Sequence, residues 1–356
     1  MRLYHVAAAT SLLLAGPALA AGILPSSPPT TTVSTVPANG DVNPYGVAFV
    51  PKSFPSGGAL EPGDILVSNF NASSNLQGTG TTIVKVRGST VTPFFQGMPT
   101  LGLSTALVVL KSGFVIVGNF PSPTGTCSDP TTGTGSLMII DKNGNLVETL
   151  ANAPVIDGPW DMTVWDGGDL PVAFVSNALT GTVMRLDMVV GGAFGIKVHN
   201  ATVIANGYGH QCDPTTFVDG PAGLAYDPET DALYVASSLD NAIYRVGGAA
   251  IRTNAANKGH LVTNDATHLN GPLHLAIAPN GDLITANNDN IVMNSTVPPS
   301  EYVEFTKSGT FVTALQIDTS AGGAFGFAFQ RDGHHTATFA AVDDAQNNLQ
   351  IWSVNY

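Results

Sequence analysis

Charge is what this sequence has least of. Only 11% of its 356 residues are Asp, Glu, Lys or Arg. Solvent-exposed helices draw heavily on those residues, paired three and four apart, so the composition leaves little material for a mainly helical fold. Positive charge is scarcest, with 13 Lys and Arg against 26 Asp and Glu and a net charge of −13. So acidic a chain has few cations to set against phosphates, which excludes nucleic acid and anionic membrane surfaces as expected partners. Long apolar runs are missing too. Beyond residue 20 none approaches the roughly 20 residues that span a bilayer, so no membrane span is expected after that point. Cysteine occurs only at Cys127 and Cys212, too few for a disulfide-scaffolded fold. The patterns G-x-S-x-G, H-E-x-x-H, C-x-x-C and the P-loop are absent. No catalytic motif therefore announces an activity.

What is abundant is Gly (39) and Pro (24), the punctuation of many short strands and turns. Residues 1–20, MRLYHVAAATSLLLAGPALA, read as a secretory signal: Arg2, an apolar Val6 to Leu14, and an A-x-A site at Ala18-Leu19-Ala20. A secreted or periplasmic protein is expected, and in an oxidising compartment Cys127 and Cys212 are a candidate disulfide. Residues 21–29 read as a mobile Pro/Ser tether. Residues 30–356 then form one domain.

Its pattern is repetitive. Gly220 to Val246, GPAGLAYDPETDALYVASSLDNAIYRV, is the cleanest copy: a Gly-Pro, a short apolar strand, an Asp-Pro turn, a second strand, a polar corner and a third strand. Equivalent positions fall at Pro44, Ser104, Pro159, Pro221, Pro272 and Ala324. A period of roughly 50 with four strands per unit is the signature of a β-propeller. The expected fold is all-β, a six-bladed β-propeller of four-stranded antiparallel blades at roughly 43–97, 103–151, 158–206, 220–264, 271–316 and 323–356. The last repeat supplies only three strands. An orphan strand at 30–36 precedes the first repeat and is expected to complete the last blade, closing the ring and removing its exposed edges.

The run Pro221-Ala222-Gly223-Leu224-Ala225-Tyr226 with Leu233-Tyr234-Val235-Ala236-Ser237, repeated at Pro44 to Phe49 and Pro272 to Asn287, resembles the NHL-repeat class of six-bladed propellers. It is more distantly similar to the gluconolactonase (SMP-30-like) and strictosidine-synthase-like propellers. The resemblance covers nearly all of the chain after residue 29 and implies a fold rather than an activity. The gluconolactonase type implies Ca²⁺ at the channel mouth, held by Glu, Asn or Asp between the Pro and Gly of strand one. This sequence has Tyr45, Thr105, Trp160, Ala222, Leu273 and Phe325 there. If they face the mouth, Tyr45, Trp160 and Phe325 suit an apolar or sugar-like ligand; otherwise they pack between blades.

Three further sets are candidates. Asn69, Asn119, Asn177 and Asn287 each end the second strand of a blade. They either cap their own turns or form a polar ring that binds hydroxyls or carboxylates. Asp161 and His274 stand where other blades have Gly46, Ala106, Gly223 and Gly326, which marks them as a possible acid/base pair. His210 and His268 lie in loops of the same inferred face. With His274 they are candidate ligands for a divalent metal, Zn²⁺ or Ca²⁺, although no two have the close spacing of a zinc motif. The leading expectation is a monomer that binds a small molecule or a protein partner on one face of the disc. The alternative is a metal-dependent lactonase, esterase or lyase using the same face.

Overall fold

The structure, a computed structural model, describes residues 22–151, 156–191, 195–287 and 297–356. The signal expected at 1–20 lies outside them. Every regular element among the described residues is a strand, and no helix is long and apolar enough to cross a membrane.

Six four-stranded antiparallel sheets form the six blades of a propeller. Blade one comprises Val42–Phe49, Ile65–Asn71, Thr82–Arg87 and Thr90–Gln96. The inner strands of the next five are Leu103–Val109, Pro159–Trp165, Pro221–Asp227, Pro272–Ile277 and Ala324–Arg331. Each blade is apolar on both faces because each face packs on a neighbour. The second strands Ile65–Asn71 and Ala232–Ser237 are accordingly buried throughout.

The inner strands meet at the axis under severe crowding. Each carries a register shift two or three residues into its pairing with strand two, as between Pro44 and Val47. The residue inside that bulge points at the next blade. A Cβ on Gly46 would stand 2.7 Å from Ser68 Oγ and 2.8 Å from Leu107 Cβ, and one on Gly326 would collide with the Tyr45 carbonyl. Hydroxyls staple the blades at this level. Ser68 Oγ accepts from Gly46 N at 2.9 Å and donates to Ser104 O of blade two at 2.9 Å. Ser176 accepts from Asp161 N at 3.0 Å and donates to Ala222 O of blade four at 2.7 Å.

The ring closes as the sequence leads one to expect. Thr31–Ser34 pairs antiparallel with Asn348–Asn355, placing Thr31 opposite Ile351 and Ser34 opposite Asn348. The described part of the expected tether differs from its composition. Ile23 and Leu24 are buried in a cluster with Tyr302, Phe339 and Trp352. Both backbone N–H groups donate to the buried carboxylate of Glu304, at 2.9 and 3.2 Å to Oε2, and Trp352 Nε1 donates to Ser27 O at 3.0 Å. Two apolar residues and a ready acceptor outweigh the flexibility of a Pro/Ser stretch.

A chain shortened to begin at Ser26 loses two buried side chains worth about 1.5–3 kcal/mol each and uncovers Glu304. Its urea midpoint should fall clearly below that of the chain beginning at Ala21, and removing residues 30–36 as well should abolish the cooperative transition. Coincident midpoints would show that the N-terminal segment does not close the ring.

Candidate functional site

The axis divides into three levels, and the exceptions to the glycine rule sit at the middle one. Asp161 and His274, from blades three and five, take the register that Gly46, Ala106, Gly223 and Gly326 keep small. The two meet across blade four, His274 Nδ1 donating to Asp161 Oδ2 at 2.8 Å. Gly223 leaves them room, since its Cβ would stand 2.5 Å from the His274 carbonyl carbon. His274 Nε2 donates to Phe327 O of blade six at 3.0 Å. Asp161 also accepts from Met162 N at 2.8 Å and Leu224 N at 3.1 Å. Both ring nitrogens thus face acceptors, and a carboxylate that already takes two backbone N–H groups has no proton to give back. The geometry calls for the imidazolium form. Burial opposes that charge, but the Asp161 carboxylate and the Phe327 carbonyl outweigh it and hold His274 above its ordinary pKa of 6.5. The sequence-selected acid/base pair is therefore assembled, as an ion pair tying four blades together.

Below the pair runs a channel of about 350 Å³, lined by the C-terminal halves of all six inner strands, with His274 at its inner end. Above the pair the mouth is filled. Tyr45 stacks on Phe325 at 4.3 Å and on Phe70 at 4.8 Å, and Phe70 meets the edge of Trp160 at 5.5 Å. Phe120 and Phe217 close the cluster, 5.0 Å apart. Tyr45, Trp160 and Phe325 thus face the mouth, but beneath a cover.

That cover is a hairpin in the linker before blade four, Gln211–Asp213 paired with Phe217–Asp219. Asp213 Oδ1 accepts from Thr215 N and Thr216 N and fixes the turn. Phe217 takes a φ of 74°, unusual for a bulky residue, and is driven into the cluster. Cys127 and Cys212 form a disulfide, Cα to Cα 5.3 Å, pinning the hairpin to blade two.

Beside the plug lies a polar recess of about 150 Å³, edged by Asn43, Tyr45, Gln77, Thr216, Phe325 and Asp344. With its amide turned to satisfy its surroundings, Asn43 donates to Asp344 Oδ1 at 3.0 Å. Burial, and then the charge of Asp343, push Asp344 up to about 7. Burial and Asp318 push Asp343 up to about 6. No Lys or Arg pairs with either among the described residues.

The asparagines do not form an open ring. Asn69 Nδ2 donates to Thr35 O at 3.2 Å, Asn177 Oδ1 accepts from Asp157 N at 3.1 Å, and Asn287 accepts from Asn270 N and donates to His268 O. Each is buried and holds the linker that leads into its own blade. Asn119 differs: its Oδ1 accepts from Ser136 Oγ at 2.6 Å and no linker reaches it. The three-histidine metal site expected from the sequence is not formed. His274 is buried against Asp161. His268 stacks on Phe311 at 3.6 Å and donates to Asp265 at 2.6 Å. His210 is exposed beside the Tyr208 carbonyl. Among the described residues no three His, Cys, Asp or Glu converge on a metal position. Sequence reasoning missed Phe217, Phe70, Phe120 and Asp344. The Asp343-Asp344 pair was visible but reads as an ordinary turn, and nothing in CDPTTFVD signals a hairpin that turns Phe217 inward.

No family model matches the chain, and no curated protein matches it by sequence. Solved structures do. A Xanthomonas campestris protein described as a gluconolactonase has 12% identity, covers 94% of this chain and 99% of its own, and superposes with a TM-score of 0.53. The calcium-binding protein regucalcin of Agrobacterium tumefaciens has 12% identity, covers 91% and 97%, and scores 0.52. A luciferin-regenerating enzyme has 12% identity, covers 92% and 95%, and scores 0.50. At such identity the likeness is one of fold: this chain is a six-bladed propeller of the same architecture. A divalent ion at its axis does not fit the residues present. Tyr45, Trp160, Ala222, Leu273 and Phe325 are packed in a single apolar cluster there, without the hard oxygens such an ion needs.

Two outcomes follow from the axis. The folded pKa of His274 is raised, so its stabilisation is complete below 6.5 and is lost as pH rises through the folded value. Melting temperature should decline from pH 6.5 upward in the native chain, and His274→Gln, at a cost of about 3–5 kcal/mol, should remove that decline. A profile unchanged by the substitution contradicts the ion pair. Separately, Cys127→Ser/Cys212→Ser should cost about 2–5 kcal/mol and expose the Trp160 cluster, read as increased fluorescence quenching by acrylamide.

Proposed function

We propose that this chain is a binding propeller that acts through the hairpin side of the disc. Its ligand carries an ammonium or guanidinium group, as a small amine or as the basic side chain of a protein partner. One observation carries the reading: Asp344 stands in a recess at the mouth with neutral hydrogen-bonding groups around it and, among the described residues, no Lys or Arg paired to it. Burial and the neighbouring charge of Asp343 raise its pKa, so a cation seated there would relieve both. The recess, about 150 Å³, holds a charged head and short stem rather than a whole drug-sized molecule. An acidic surface overall draws cations toward the mouth.

The likeness in fold to a protein described as a gluconolactonase raises lactone hydrolysis as the competing activity. That chemistry needs a Lewis acid or a free general base beside an open cleft. At this mouth the axis is filled by aromatic rings, and the one assembled histidine has both nitrogens engaged beneath them.

Isothermal titration with n-butylamine, arginine methyl ester and a lysine-rich peptide tests the reading. Binding should tighten as pH rises from 6 to 8 and Asp344 loses its proton, and Asp344→Asn should abolish it. Preference for the peptide over both small probes would identify a protein partner. Absence of binding by all three at pH 8, or turnover of gluconolactone that EDTA stops, overturns the proposal.

A further inference from the structure

In three blades the asparagine at the end of strand two holds the linker that leads into that blade. Blade two breaks the rule. Among the described residues its linker, residues 97–101, in which Thr100 takes a φ of 63°, makes no hydrogen bond to the Asn119 side chain. Between blades one and two lies a groove of about 560 Å³, well within the size of small-molecule sites. Its walls are Phe95, Leu101 and Met138. Met98 and Leu146 stand at its rim, 76% and 48% exposed. Asn119 and Ser136 close one end.

The state of Asn119 makes this more than an apolar crevice. It is only 6% exposed, its Oδ1 is taken by Ser136 at 2.6 Å, and its Nδ2 has no acceptor among the described residues. The equivalent Asn69 and Asn287 spend theirs on backbone carbonyls. Here the donor borders the groove. No Lys, Arg, Asp or Glu lines it, so a charged ligand would find no counter-ion. Two methionine thioethers give walls that adapt to a ring or chain.

We infer that this groove binds a small uncharged molecule with an apolar body and one acceptor oxygen (ketone, amide, ester or alcohol), which receives the Asn119 Nδ2 hydrogen. The site is independent of the mouth recess and needs no metal.

The probe is 6-propionyl-2-(dimethylamino)naphthalene, an uncharged ring with one ketone oxygen whose emission shifts to the blue when it leaves water. Native protein should bind it saturably with a blue shift. Asn119→Asp keeps the acceptor for Ser136 but removes the donor, and should weaken binding about tenfold. Met98→Glu, at an exposed rim position that leaves folding untouched, should weaken it at least as much and decides the matter if Asn119→Asp does not fold. The same ring without the ketone, 2-(dimethylamino)naphthalene, should bind more weakly and be indifferent to Asn119→Asp. Asp344→Asn should leave all of this unchanged. No saturable blue shift in the native protein, equal loss for both probes in Asn119→Asp, or loss of binding in Asp344→Asn each overturns the inference.

Discussion

Crowding at the axis governs this molecule. Six inner strands converge until the residue inside each bulge has almost no room beyond its backbone, and Gly46, Gly223 and Gly326 answer with no side chain at all. Where two positions depart from that rule they must do so together. Asp161 reaches the backbone of blade four, and His274 crosses above Gly223 to meet it and to touch blade six. One buried ion pair does the work that small-residue packing does elsewhere. It divides the axis into a filled mouth and an open channel.

The filled mouth leaves open space only away from the axis on that side of the disc. Propellers usually place their chemistry where loops gather around the axis. In this one the space belongs to Tyr45, Phe70, Trp160 and Phe217, held under a hairpin by the Cys127–Cys212 bond. What remains accessible is displaced from the centre, to the recess beside Asp344 and to the groove between blades one and two. Both are places where the sixfold pattern is locally broken.

The fold was legible because axial crowding writes itself into sequence. The Pro-x-Gly register recurs once per blade, and the orphan strand near residue 31 matches a last repeat one strand short. The same register exposed Asp161 and His274 as exceptions, and they proved to be each other's partner. What depends on the path of irregular chain was not legible. Residues 211–219 have the composition of a loop, and the inward turn of Phe217 rests on a backbone angle that its identity disfavours. The four asparagines looked alike, yet three hold linkers and Asn119 does not, a difference not written in Asn119 itself. The Pro/Ser stretch before residue 30 masked Ile23 and Leu24, whose burial needs an acceptor, Glu304, that lies nearly the whole chain away.

The pairing of Thr31–Ser34 with Asn348–Asn355 also sets a timetable. A strand near residue 31 waits for one near residue 350, so the ring cannot be completed until both have been synthesised. Until residues 348–355 emerge, blade six lacks its third strand and Thr31–Ser34 has no partner, leaving two unpaired sheet edges of the kind that seed misassembly. Such long-range closure is slow. The topology itself therefore postpones the native state until both halves of the closing blade are available together.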